Sequence, residues 1–168
     1  CAIIPTMQTF LPLPDYLQSM RRLDKYRLGN QVWREGLTLI RGGWEHHPAR
    51  KMWQGHEHHL GKYLLAGLEV LKERSGKDYA EVRAKIEAEM AKYPDTGAPS
   101  WVGDEKFHAS HRSNLLRKVN EAIQKAVEAI DTDSPRKDHF IEVATHMKSW
   151  YSQFGWTEPA DLPYVWPK

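Results

Sequence analysis

Cysteine is almost absent from this chain: Cys1 is the only one, so no internal disulfide is possible and packing must hold the fold. No apolar run approaches the roughly 20 residues that a membrane span requires. With a mean hydropathy of -0.68, no membrane association is expected. The amino end lacks the basic stretch, apolar run and small-residue cleavage site of a secretory signal, which leaves the cytoplasm as the expected location. A strong excess of one charge is missing as well. The chain has 24 Lys and Arg against 22 Asp and Glu, a formal charge of +2, and a pI near 8.6. That is less than bulk electrostatic binding of nucleic acid usually requires, so any such binding must come from a local patch. There is no repeat, low-complexity tract or flexible linker. The 168 residues, 40% hydrophobic, suit a single domain with a real core, and no cofactor is expected.

What is plentiful is tryptophan and histidine, seven and nine residues, both costly to place and both recurrent where ligands stack or protons move. His46, His47, His56, His58 and His59 form one group, and His108 and His111 a second. Residues 1–12 mix β-branched residues with two prolines, which predicts an extended arm. Apolar spacing predicts one long helix or two abutting ones over 15–41, Asp24 being able to cap a restart and Gly42-Gly43 ending the run. Leu28, Val32, Gly36, Leu39 and Ile40 make its buried face, while Arg27, Gln31, Arg34, Thr38 and Arg41 make a polar, basic one. Further helices are expected over 48–74, with small Gly55, Gly61 and Gly67 allowing close approach, then 78–92, 104–130, and from Ser134-Pro135 to Gly155. Tyr93 to Gly103 is a loop, and the proline-rich tail 156–168 lies extended across the surface. The fold class is therefore all-α, a helical bundle with an extended arm and tail.

Three groups suggest chemistry. The basic helix face, Arg27, Gln31, Arg34 and Arg41, has guanidiniums about a turn apart, a spacing suited to backbone phosphates. The alternative is a solvated face. A second basic run, from His108 and His111 through Arg112, Ser113 and Asn114 to Arg117 and Lys118, reads as an anion-binding edge. His56 with His59, or His108 with His111, have spacings that place metal donors on one side of a helix, but no HExxH motif or cysteine partner accompanies them, and hydrogen-bonded core histidines are the alternative. Cys1 offers an α-amine and a thiol, and the amine is of the type that forms a Schiff base with an abasic-site aldehyde. The alternative is a structureless end.

The order of these elements resembles the phage-type pyrimidine-dimer DNA glycosylase family. The likeness is carried by the arm Met7-Gln8-Thr9-Phe10, the helix with Tyr26-Arg27, the stop at Gly42-Gly43, the segment HPARKMWQGHEHHLGKYLLAGLEVLKERSG and the late His-Ser-rich helix. It covers residues 7 to about 118 and the aromatic end Trp150 to Trp156. The resemblance implies a helical protein that flips a nucleotide out of double-stranded DNA, cleaves its glycosidic bond and nicks the abasic strand. It also implies a catalytic amino-terminal amine and a glutamate directly after the helix arginine. Arg27 matches that arginine, but the glutamate position is Leu28 and the next family arginine falls on Gln31. The carboxylate would then be Asp24 or Glu35, with Cys1, His108 and His111 as further catalytic candidates and residues 119–149 as a helical insertion. The resulting expectation is a base-excision glycosylase and AP lyase acting on damaged or modified pyrimidines. Its phosphate contacts would be Arg27, Gln31, Arg34, Arg41, Arg112, Ser113 and Arg117. A non-catalytic DNA- or protein-binding module and a histidine-dependent metal hydrolase are the alternatives.

Overall fold

A computed structural model describes residues 8–167, and among these every regular element is helical. The run expected over 15–41 is two abutting pieces. Helix α1 (Tyr16–Arg22) is capped by Asp15, whose carboxylate accepts from the Gln18 N–H. The chain turns extended at Leu23, and Asp24 caps the restart by accepting from the N–H groups of Tyr26 and Arg27. Helix α2 (Lys25–Asn30) passes without a break into a π-helical turn, Gln31–Gly36, and then α3 (Leu37–Ile40). A π turn widens the helix by one residue and is frequent where a side chain must be re-aimed into a site.

The helix expected over 48–74 is broken. Helix α4 (Pro48–Trp53), with proline in its first turn, is separated from α5 (Glu57–Ser75) by a turn in which Gly55 has φ +83. Gly55 therefore serves a left-handed backbone, whereas Gly67 does allow close approach: an added Cβ there would lie 2.6 Å from Val32 Cγ2. Helices α6 (Ala80–Met90), α7 (Glu105–Asp131) and α8 (Lys137–Ser152) follow, and α7 packs against α8. Leu28, Val32, Gly36, Leu39 and Ile40 are all buried, as their spacing predicts.

The described part of the arm, residues 8–12, forms no regular element and threads the middle of the molecule, with Thr9 and Leu11 wholly buried. A buried segment outside any helix must satisfy its backbone polar groups elsewhere, and here side chains do so. Phe10 N–H donates to Gln31 Oε1 (2.7 Å), Tyr63 OH donates to the Phe10 carbonyl (2.6 Å), and Trp53 Nε1 donates to Thr9 Oγ1 (2.9 Å). The tail runs over α7: Ser113 Oγ accepts from Leu162 N–H, Asn114 Nδ2 donates to the Leu162 carbonyl, and Ser110 Oγ accepts from Val165 N–H. No helix among the described residues is long and apolar enough to cross a membrane.

Candidate nucleotide-binding cavity and its carboxylate

Where the arm, the π turn, α7 and the tail meet there is a cavity of about 530 Å³. Gln31 organises its floor. It was expected on an exposed face, yet it is 1% exposed, because the arm lies over it. Its Oε1 accepts from Phe10 N–H and Tyr63 OH, and its Nε2 donates to the Gln8 carbonyl (2.8 Å) and to Glu35 Oε2 (2.8 Å). Every polar atom of the Gln31 side chain is thus used, and the Glu35 carboxyl is fixed from one side.

Glu35 lines the cavity, and burial pushes its carboxyl up from 4.5 to about 7. The Gln31 hydrogen bond and the charges of Arg34, Lys118 and Arg27 pull in the other direction without overcoming it. A carboxyl that exchanges its proton near neutral pH is suited to general acid or base work. Around it the cavity carries Arg27, Arg117 and Lys118 as cations, Asn30 and Asn114 as amides, and Phe10, Tyr164 and Trp166 as aromatic surface. Arg117 stands 6.0 Å from the centre of the Tyr164 ring and joins no ion pair among the described residues. His47 also lines the cavity, edge-on to Trp166.

Several expected site residues have other employment. Asp24 is wholly buried: one carboxylate oxygen caps α2 and the other accepts from Tyr151 OH (2.7 Å), so it faces no cavity. Leu28 is a core residue with no exposure. His108 and His111 hold the arm. His108 Nδ1 donates to the Leu11 carbonyl, while His111 Nδ1 accepts from Leu11 N–H, each at 2.8 Å. Burial pushes His111 down to about 3 and His108 in the same direction, so both are neutral at pH 7. Arg112 is buried with all three nitrogens engaged, pairing with Glu158 and Glu105 and donating to the Pro12 carbonyl. Ser113 donates to the Pro159 carbonyl. The run expected as an anion-binding edge is therefore, up to Asn114, the strap for arm and tail; of its residues Asn114, Arg117 and Lys118 line the cavity. Arg34 and Arg41 are exposed, as expected.

The histidine groups do not converge. His59 meets Tyr16 OH (2.9 Å) and lies 3.6 Å from Asp95, His56 lies against Thr96, and among the described residues no three metal-donor side chains gather. That removes the geometric basis of the metal-hydrolase reading. Cys1 lies outside the described residues. Tyr164 and Trp166, in the proline-rich tail, were missed as site residues. The only sequence signal for them was two aromatics between prolines, Pro163-Tyr164-Val165-Trp166-Pro167.

Residues 7–83, just under half of the chain, match the sequence model of a family described as pyrimidine dimer DNA glycosylase. No curated protein and no solved structure matches the chain.

Proposed function

Because residues 7–83 of this chain match the sequence model of a family described as pyrimidine dimer DNA glycosylase, we propose that the cavity receives a nucleotide everted from double-stranded DNA and that Glu35 assists cleavage of its glycosidic bond. The observation that carries this is the Glu35 carboxyl itself. It is held by Gln31, lines a cavity rich in cations and aromatics, and has its proton equilibrium near 7. The family match supports DNA as the substrate and a glycosylase role. The residue roles, the duplex substrate and the damaged or modified pyrimidine are our reading.

Chemically, the bond between the sugar carbon and the base nitrogen breaks with its electron pair leaving on the base. Positive charge then develops on the sugar, and the Glu35 carboxylate stabilises it. Water adds to the sugar carbon and gives a proton to Glu35, which passes it to the departing base, so that atoms and charge balance. Arg27, Arg117 and Lys118 face the flanking phosphates, and Tyr164, Trp166 and Phe10 offer stacking surface that lowers the cost of taking a base from the helix. A lyase step would need an amine to form an imine with the opened sugar.

The test is incubation of the full chain with duplexes carrying a thymine dimer, an abasic site or a modified pyrimidine, reading base release and strand nicking. Glu35→Gln should lower base release about 100-fold or more, within the range general acid–base groups contribute. Borohydride trapping of a covalent adduct would report imine formation by a protein amine, the mark of a lyase step. Equal activity of Glu35→Gln and wild type would overturn the role of the carboxyl. Tight binding with no base release on any substrate would make the protein a binding module, the reading that buried Leu28 at the family's glutamate position favours.

A further inference from the structure

We propose that a second cavity beside the first holds the sugar–phosphate unit adjoining the everted nucleotide, and that the α7–α8 hairpin, outside the family-matched segment, builds it. The proposal rests on the reading above and extends it to residues that neither the helix pattern nor the family match points to. This second cavity, about 270 Å³, lies between α2 and the hairpin. Tyr26 and Arg27 line it from α2, Lys118 and Lys125 from α7, and His139 and Phe140 from α8. It falls short of the roughly 300–1,000 Å³ of a cavity that takes a whole small molecule. It shares Arg27, Lys118 and Glu121 with the first, which makes the two cavities neighbouring compartments of one groove.

Its charge is that of a phosphate site. Arg27, Lys118 and Lys125 line it against a single carboxylate, Glu121, which already lies 3.4 Å from Lys118. Lys125 joins no ion pair among the described residues. Arg27 is turned inward beside Asp24 (3.7 Å), with its side chain 24% exposed, so it borders both compartments from a fixed position. Phe140, Val143 and Tyr26 supply the less polar surface that a deoxyribose ring covers, and His139 adds an imidazole at the open side. A strand whose nucleotide enters the first compartment would lay its next phosphate in the second, because consecutive nucleotides cannot separate.

The experiment measures the affinity of the full chain for a duplex with a central uncleavable abasic-site analogue across a range of salt. Lys125→Ala is the main variant and His139→Ala the second, both at exposed positions, with folding checked by thermal unfolding. Each phosphate contact contributes about one to the slope of log affinity against log salt. Lys125→Ala should lower that slope by about one and weaken binding several-fold. A neutral methylphosphonate at one of the two phosphates flanking the analogue should weaken wild type equally and leave Lys125→Ala unaffected. An unchanged slope in both variants, or a methylphosphonate loss that adds in full to the Lys125→Ala loss, would overturn the proposal. If wild type showed no affinity for any of the duplexes, the glycosylase reading would fall and this site with it. If wild type bound and only the Lys125 arm were silent, the second compartment alone would fall. Competition by inorganic phosphate that depends on Lys125 while DNA affinity does not would assign the compartment to a free anion and overturn the strand path.

Discussion

Glu35 is held where its ionised form is disfavoured, and that has a consequence for stability as well as for chemistry. Its carboxyl moves from 4.5 to about 7 on folding, so between those values the folded state binds more protons than the unfolded one. Stability contributed at this site therefore falls as pH rises through that window and stays lowered above it. A full shift of that size corresponds to about 3 kcal/mol, and screening at a partly exposed group reduces it to an expected 1–2 kcal/mol. Glu35→Gln keeps the acceptor for Gln31 Nε2 and removes the charge, so it should raise stability at pH 8 by about 1–2 kcal/mol and leave it unchanged at pH 4, read by urea unfolding. The substitution expected to lower base release should thus also stabilise the protein, the exchange that a catalytic role for this carboxyl predicts. His111 behaves in the opposite sense. Its imidazole is pushed from 6.5 to about 3, so between those values the unfolded state takes up the proton and stability drops as pH falls. About 2–3 kcal/mol should be lost between pH 7 and 4.5 through this group. In His111→Gln that acid dependence should weaken by close to one proton, at a cost of about 1–3 kcal/mol at pH 7.5 for the lost hydrogen bond to Leu11. An unchanged pH profile would mean that another group drives the acid loss.

At the level of elements, the π turn is the feature on which the site depends. It carries Gln31 at its start and Glu35 near its end, and its wider register leaves the Gln31 carbonyl close to Gly36: a Cβ added at Gly36 would lie 2.3 Å from that oxygen and 2.1 Å from Leu64 Cδ2. Leu64 belongs to α5, so the glycine permits both the π register and the packing of α5 against it. Gly36→Ala should cost about 1–3 kcal/mol through overpacking, seen as a lowered midpoint in thermal or urea unfolding. Base release should fall with it, because relief of the clash moves Glu35 relative to Gln31. This part of the site was only half legible in the sequence. The buried face of the helix followed from its 3.6-residue period, whereas Glu35 came into view only beside Asp24, as a substitute for the glutamate that the family resemblance implies at Leu28. Gln31 was assigned to the wrong side because its hydrogen-bond partner, the Gln8 carbonyl, is 23 residues away, and local periodicity has no access to it. Gly55 failed for a related reason: a small residue within a helical pattern looks the same whether it admits a neighbouring helix or supplies a positive φ.

For the molecule as a whole, the family-matched segment forms one wall of the cavity and the rest of the chain forms the other. Arg27, Gln31, Glu35 and His47 lie within residues 7–83, whereas Asn114, Arg117, Lys118, Tyr164 and Trp166 lie beyond them. The opposite wall was largely hidden at the level of sequence because it is created by docking: Ser110, Ser113 and Asn114 hold the tail, and only then do Tyr164 and Trp166 reach the cavity. Read by residue type alone, those polar groups on α7 are indistinguishable from an anion site. The two halves also depend on each other through the arm. Leu11 is wholly buried, and both its backbone hydrogen bonds go to α7, its N–H to His111 and its carbonyl to His108. Truncation after residue 83 would leave that N–H and carbonyl without partners and expose the core surface covered by Phe107 and Leu115. Each unsatisfied backbone group costs about 1–3 kcal/mol, and uncovering two large side-chain contacts adds about 1.5–3 kcal/mol each, a loss comparable to the 5–15 kcal/mol that stabilises a typical domain. The fragment 7–83 should therefore show no cooperative unfolding transition by circular dichroism and no salt-dependent affinity for DNA, while the full chain shows both. A fragment that melts cooperatively would mean that the arm finds its place on α5 and the π turn alone, through Gln31, Tyr63 and Trp53. In that case α7, α8 and the tail would be additions to a fold that stands without them.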